Sequence, residues 1–362
     1  MANDTKLSTE QGRILSIDFF RGFTMFLLIS GYWNLFDPSS GNNLAAFIGR
    51  QLNHADWEGL RFWDLIQPFF MFIVGVSMPF SFSKRWDRGD SWNKTFRSAL
   101  KRSLLLLALG WAISSTDTYS TFTNVLAQLS VTYLISFLLL RKGVKWQLIV
   151  SFGLIILTDL IYRYWPVEGF NQPFTGDHNF GSWVDTMLTG GVSKGRWVSF
   201  NAIPTSAHTI WGAMAGTVLM QAQPMKKKLT TLFVAGLIGV IAGYILGAYI
   251  PIIKRICTSS FIIVSGGWSL IGLAISYWLI DGLQWRRIGF FFAVVGMNPL
   301  LIYLFTHSGG RKMLEDIIQP FIYRIFSWTG PATINVIMIL LVSFLLWYIC
   351  YFLYKKKIFI RI

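Results

Sequence analysis

One short stretch holds the residues best able to do chemistry. Asn53-His54-Ala55-Asp56-Trp57-Glu58-Gly59-Leu60 sets a histidine and two carboxylates on a link between apolar segments at Phe19 to Phe36 and Phe62 to Phe82. An imidazole, with an ordinary pKa of about 6.5, can take a proton from a nucleophile or itself accept and hand on an acyl group. Asp64, just ahead of Gln67-Pro68, is placed to orient His54 or to bind an ammonium group. Asp18 and Arg21 stand three apart inside the first apolar run, on neighbouring helical positions. Charges there are costly and so are functional suspects, with a mutual ion pair at the inner end of the bundle as the plainer reading. His178, His208 and His307 read as loop or helix-end residues, and the four histidines show no metal-ligand spacing. No Walker or Rossmann glycine motif occurs.

The elements that must position these groups are membrane helices. The hydrophobic fraction is 53%, charged residues are 14%, and the mean hydropathy is +0.50, whereas a soluble globule carries nearer a quarter charged residues. Ten apolar runs approach the roughly 20 residues needed to cross a bilayer: about 14–36, 61–83, 98–115, 123–140, 146–165, 203–222, 229–250, 259–280, 288–306 and 331–354. The expectation is an all-α polytopic bundle of ten spans forming a single domain over 1–362. The polar start of the chain, Met1 to Gly12, suggests no cleavable signal peptide. Cys257 and Cys350, far apart, suggest neither a disulfide framework nor a metal site.

The net charge of +15 is a topology signal rather than a nucleic-acid signature. With the N-terminus inside, most of the 32 basic residues fall on inner segments, including Lys84, Arg85, Lys101, Arg102 and Lys226 to Lys228. That bias puts both termini in the cytoplasm, and the same charges suit anionic lipid. On the outer side, Pro166 to Asn201 reads as one long loop rich in Gly, Asn and aromatics, with His178, Trp183, Asp185, Trp197 and Phe200. Its aromatics can stack on sugar rings or lie at the headgroup level. Gly239, Gly243 and Gly247, and again Gly212 and Gly216, recur at every fourth position and predict close helix packing.

Several motifs, taken in order, resemble the heparan-α-glucosaminide N-acetyltransferase family, in its bacterial branch. They are Ser-Ile-Asp-Phe-Phe-Arg-Gly (16–22), His-Ala-Asp-Trp-Glu-Gly-Leu (54–60) and Asp-Leu-Ile-Gln-Pro-Phe-Phe (64–70). Further matches are Val125 to Tyr133, Gly181 to Asp185, Thr258 to Phe261, Gly296-Met297-Asn298-Pro299 and Lys356 to Ile360. The resemblance implies transfer of an acetyl group from cytoplasmic acetyl-CoA to the amine of a glucosamine residue across the membrane, with the family's active-site histidine falling on His54. Two departures concern the acceptor. Gly31-Tyr32 stand where many members carry an asparagine, with Asn34 close by, and Ser199-Phe200-Asn201 replace an acidic motif.

His54 and Asp64 are therefore the catalytic candidates. Asp18, Arg21, Asn298, Lys84, Arg85 and Arg102 are candidate donor contacts, and Asn34, Trp57 and Asp185 are candidate acceptor contacts. No metal is expected. Direct transfer and an acetyl-imidazole relay both fit these residues. The expected surroundings are a lipid bilayer, the bacterial inner membrane, with an amino-sugar or glycan acceptor, no nucleic acid, and a homodimer left open. Two rival readings keep the same residues: a transporter for amino sugars or envelope metabolites with His54 relaying protons, and an O-acetyltransferase of an envelope polysaccharide.

Overall fold

A computed structural model describes residues 14–32, 35–36, 38, 42–114 and 122–360. Among them secondary structure is helical throughout, with no strand. Fourteen α-helices follow in order: α1 Leu15–Ser30, α2 Asn43–Gln51, α3 Ile66–Asp87, α4 Trp92–Ser114, α5 Val125–Leu139, α6 Val144–Tyr164 and α7 Phe180–Thr189. Then come α8 Ala202–Met220, α9 Met225–Gly247, α10 Ser259–Tyr277, α11 Arg286–Met297, α12 Pro299–Phe305, α13 Arg311–Phe326 and α14 Pro331–Lys355.

The apolar runs overlap helices, the one at 288–306 being divided between α11 and α12. Among the described residues, five helical stretches are both long and apolar enough to cross a membrane: Phe62–Asp87, Val144–Tyr164, Met225–Gly247, Ser259–Gly282 and Pro331–Lys355. A sixth is added if Arg286–Met297 and Pro299–Phe326, bent by 66° at their junction, form one span. Among the described residues the protein is thus a helical membrane protein with five such stretches, or six if the bent pair is one span. The bend sits at Asn298, whose φ of −127° and ψ of 47° leave the helix just before Pro299, because the proline ring disfavours a helical residue ahead of it.

Three helices lie outside the apolar runs because local signals, not hydropathy, make them. Asn42 Oδ1 accepts the backbone N–H groups of Leu44 and Ala45 and so caps α2. Asn179 caps α7 through the Ser182 N–H, and Gly190, at φ 80°, closes it in the left-handed region. The expected long outer loop therefore contains a helix. In α13, Arg311–Glu315 and Lys312–Asp316 pair at i, i+4, which holds a polar stretch helical.

The chain groups into two contact units. In the first, residues 14–49 and 272–360, α1 packs along α11. Phe19, Phe23 and Phe26 meet Phe292 edge-on at 5.4–5.6 Å, and Gly22 faces the Phe292 carbonyl. In the second, residues 50–271, α3 packs along α8 with glycine on both sides. Gly75 lies against the Thr209 carbonyl, Gly212 against Phe72 and Gly216 against Val76. Helix α9 meets α10 through Gly236, Gly239 and Gly243 opposite Gly267 and Val264. The glycine spacing thus marks close helix approaches at Gly212, Gly216, Gly239 and Gly243, as small residues allow in lipid, whereas Gly247 faces only the Ile252 side chain.

Candidate active site

The site lies wholly in the second unit, where the chain enters α3 through a short 3-10 turn, Phe62–Leu65. The preceding loop is fixed from several sides. The Gly59 N–H donates to the Ile252 carbonyl at 2.8 Å, with Gly59 at φ 115°, a conformation that suits glycine. Trp57 Nε1 donates to the Phe174 carbonyl at 2.8 Å, and the Phe62 N–H to Gln51 Oε1 at 3.0 Å. Arg61 reaches back to the His54 carbonyl at 2.7 Å.

Within this frame His54 and Asp64 are brought together. His54 Nδ1 donates to Asp64 Oδ1 at 2.8 Å, while Asp64 Oδ2 accepts the N–H groups of Ala55 at 3.2 Å and Arg61 at 3.0 Å. A carboxylate only accepts, so the contact assigns the ring proton to Nδ1 and leaves Nε2 with a bare lone pair. The imidazole is 37% exposed and Asp64 1%. Reactants can thus reach the ring while its orienting partner is sealed.

A third member is Lys254, which sequence reasoning overlooked. Its side chain is 6% exposed, with Nζ 3.7 Å from Asp64 Oδ1 and 3.3 Å from His54 Nδ1. Burial pulls this lysine down to about 8, against the opposing pull of Asp64. Burial, followed by the Lys254 charge, holds His54 below its ordinary value, with Asp64 acting the other way. Trp197 closes the group. Its ring centroid lies 5.5 Å from that of His54, and Lys254 Nζ and Arg255 Cζ sit 5.3 and 5.7 Å from its centre. In sequence Lys254 and Arg255 were one more pair of outer basic residues. The available signal was a basic pair, Lys254-Arg255, inside an otherwise apolar stretch, Pro251 to Cys257, between two spans.

The remaining candidates fall elsewhere. Asp185 is 1% exposed, and its carboxylate accepts the Ser199 N–H at 3.0 and 3.3 Å. Burial raises it to about 6. Trp57 packs among Tyr162, Phe180 and Val198. Asn34 lies outside the described residues. In the first unit, Arg21 pairs with Asp18 at 3.4 Å, and the Asn298 amide bonds the Ile358 carbonyl and the Ile360 N–H, both at 2.9 Å.

At the far end of α3 a basic corner forms. Arg85 bonds Asp90 at 3.0 Å and Ser98 at 2.9 Å, and Lys84 is exposed. Arg102 lies 4.7 Å over the Tyr133 ring, its Nε buried without a hydrogen-bond partner, and Arg141 lies 5.0 Å over Trp86. His208 is buried against Ser265 Oγ at 2.9 Å, His307 bonds the Tyr303 carbonyl, and His178 bonds that of Gly169. Both cysteines are buried and free, and among the described residues no group of three or more potential ligands could hold a metal ion.

Residues 13–249 match the family model described as heparan-alpha-glucosaminide N-acetyltransferase, catalytic. The chain is also similar to heparan-alpha-glucosaminide N-acetyltransferase of Mus musculus, at 24% identity over 97% of the chain and 60% of the relative. For the Homo sapiens protein the identity is 26%, over 99% and 61%. The chain spans about three fifths of the length of these relatives. Since the match covers well over half of the chain, including the His54 loop, α3 and Lys84 to Arg102, the chain belongs to the heparan-α-glucosaminide N-acetyltransferase catalytic family.

Proposed function

We propose that this protein is a transmembrane acetyltransferase that moves an acetyl group from cytoplasmic acetyl-CoA to the amine of a glucosamine-type sugar at the outer face. The observation that carries this reading is the half-exposed imidazole whose Nδ1 is held by a sealed carboxylate. Acetyl-CoA supplies a thioester carbonyl that is already activated. The amine, protonated at neutral pH, must lose a proton before it can attack. In this reading His54 Nε2 takes that proton and passes it to bulk water, then takes the second nitrogen proton after addition and gives it to the departing thiolate, or else carries the acetyl group itself. Asp64 positions the ring in either route. Trp197 is the acceptor-side aromatic.

The donor end is assigned to the basic corner of Lys84, Arg85 and Arg102. Exposed Lys84 at this corner suits an anionic group such as the donor's phosphates. Helix α3 has 22 residues and so runs roughly 33 Å between that corner and the His54 end, about one bilayer core. Basic residues at one end and the imidazole at the other suit a reaction that draws on two compartments. The topology proposed is ten crossings with both termini cytoplasmic, in a bacterial inner membrane.

The test is purified protein with labelled acetyl-CoA and glucosamine, wild type against His54→Ala. The reading expects label in an alkali-resistant amide for the wild type, and loss of transfer with retained folding and acetyl-CoA binding for the variant. Wild-type turnover by the variant removes His54 from the mechanism. Uptake of amino sugar into liposomes without label transfer makes the protein a transporter, and an alkali-labile product makes it an O-acetyltransferase.

A further inference from the structure

Lys254 stands out because nothing in the transfer reading requires it. A lysine sealed to 6% exposure beside a histidine is costly unless it has a role or a partner. Its partner is Asp64, at 3.7 Å, and that same oxygen is the one the imidazole uses. The shorter 2.8 Å contact belongs to His54, so the ring proton points to Asp64. The ammonium therefore lies 3.3 Å from a ring nitrogen to which it cannot donate. One carboxylate thus faces one obligatory cation and one optional cation. The other charges around the ring are Arg255 beside Trp197, Arg61 at the His54 carbonyl, and Asp56, which is exposed and 3.7 Å from Arg61. Among these described groups cations outnumber anions, and the sealed anion, Asp64, is shared.

We propose that Lys254 is a positioning residue that keeps His54 neutral with Nε2 bare, by claiming the negative charge of Asp64 that would otherwise stabilise an imidazolium. In an isolated histidine–carboxylate pair the carboxylate draws a second proton onto the ring as the solution becomes mildly acidic. Here that proton would create a second positive charge 3.3 Å from the first. Asp64 then orients the ring without turning it into an acid. The burial-driven lowering of both His54 and Lys254 agrees with two cationic forms competing for one counter-ion.

The inference deepens the transfer reading, yet its test reads the imidazole itself and needs no acetyl transfer. Diethyl pyrocarbonate modifies neutral imidazole only, so the rate of His54 modification against pH, located by peptide mass spectrometry, gives its titration midpoint. In the wild type the midpoint falls below 6.5. In Lys254→Met it rises by about one pH unit or more, the size of shift a like charge at this range produces. Lys254→Arg, which restores the cation, returns the midpoint toward the wild-type value. A wild-type midpoint at or above 7 overturns the proposal by itself, even if no variant folds. So does an unchanged midpoint in folded Lys254→Met. A shifted midpoint in a protein that transfers no acetyl group leaves the inference standing and sinks the transfer reading instead.

Discussion

Asp64 Oδ1 lies 2.8 Å from His54 Nδ1, and the other oxygen of the same carboxylate accepts two backbone N–H groups. The residue is therefore at once an orienting partner and a structural staple, and two substitutions separate these roles. Asp64→Asn keeps shape and one acceptor oxygen but places an amide donor among donors. Acetyl transfer should fall by about 10²–10⁴-fold, the range of a positioned acid–base group, while the protein still folds. Both variants remove the charge that faces the buried Lys254 ammonium, and Asp64→Ala also removes the acceptor oxygens of the Ala55 and Arg61 N–H groups. Breaking a buried pair in this way costs about 3–5 kcal/mol, and thermal unfolding in detergent should show it. Wild-type stability in both variants would sever the link between Asp64 and Lys254.

Trp197 offers a half-buried indole beside the exposed imidazole and holds two cations at 5.3 and 5.7 Å. A sugar ring approaching His54 would meet that aromatic surface. Trp197→Ala should raise the acceptor KM by about tenfold, equivalent to about 1.4 kcal/mol, whereas Trp197→Phe retains most of the affinity through its ring. Steady-state kinetics with glucosamine varied and acetyl-CoA saturating would decide. A fall in kcat at constant KM would place Trp197 outside acceptor binding.

The motifs around His54 and Asp64 were readable because their chemistry is carried by neighbouring residues, ten apart, joined by one loop. Lys254 was not readable, since it comes from 200 residues downstream and its sequence neighbourhood only shows a basic pair between spans. The helices were legible wherever hydropathy made them. Those made by caps and charge pairs, such as α2, α7 and α13, were missed because a hydropathy window averages such signals away. Asp185 shows the same limit. An aspartate in an aromatic loop looks available to a ligand, and only the fold turns it inward onto Ser199.

That inward turn carries a pH signature. Asp185 is held at about 6, against 3.8 for an ordinary aspartate, by burial. Between pH 3.8 and 6 the folded state keeps a proton that the unfolded chain releases. Stability attributable to Asp185 is therefore present at low pH and lost as pH rises through about 6. A shift of about two units corresponds to roughly 3 kcal/mol. Asp185→Asn keeps an acceptor for the Ser199 N–H and removes the ionisation. His54, held below its ordinary value, contributes the opposite slope, losing stability as pH falls below 6.5. The difference between wild type and variant cancels that term. The expected result is a variant whose relative stability grows from pH 4 to pH 6.5. Parallel profiles would show that the Asp185 carboxyl ionises freely.

The packing of α3 on α8 sets where Asp64 stands, since α3 continues directly from the turn that carries it. A side chain at Gly75 would run into the Thr209 carbonyl, and one at Gly212 into the carbonyl of Phe72. In each case the obstacle is backbone, which cannot swing aside as a flexible side chain can, so the helices themselves must separate. Gly212→Ala should cost at least about 1–3 kcal/mol, the usual range for overpacking, and Gly212→Leu should prevent recovery of monodisperse protein. Gly153→Leu, on α6 where nothing lies within 4 Å, supplies the control and should behave as wild type. Where Gly212→Ala does fold, a displaced α3 shifts Asp64 relative to the Lys254 segment. Transfer should then drop more than His54 accessibility does, which diethyl pyrocarbonate labelling can report. Full activity in a destabilised Gly212→Ala protein would mean that the carboxylate is positioned by its own turn alone, through the Ala55 and Arg61 N–H groups.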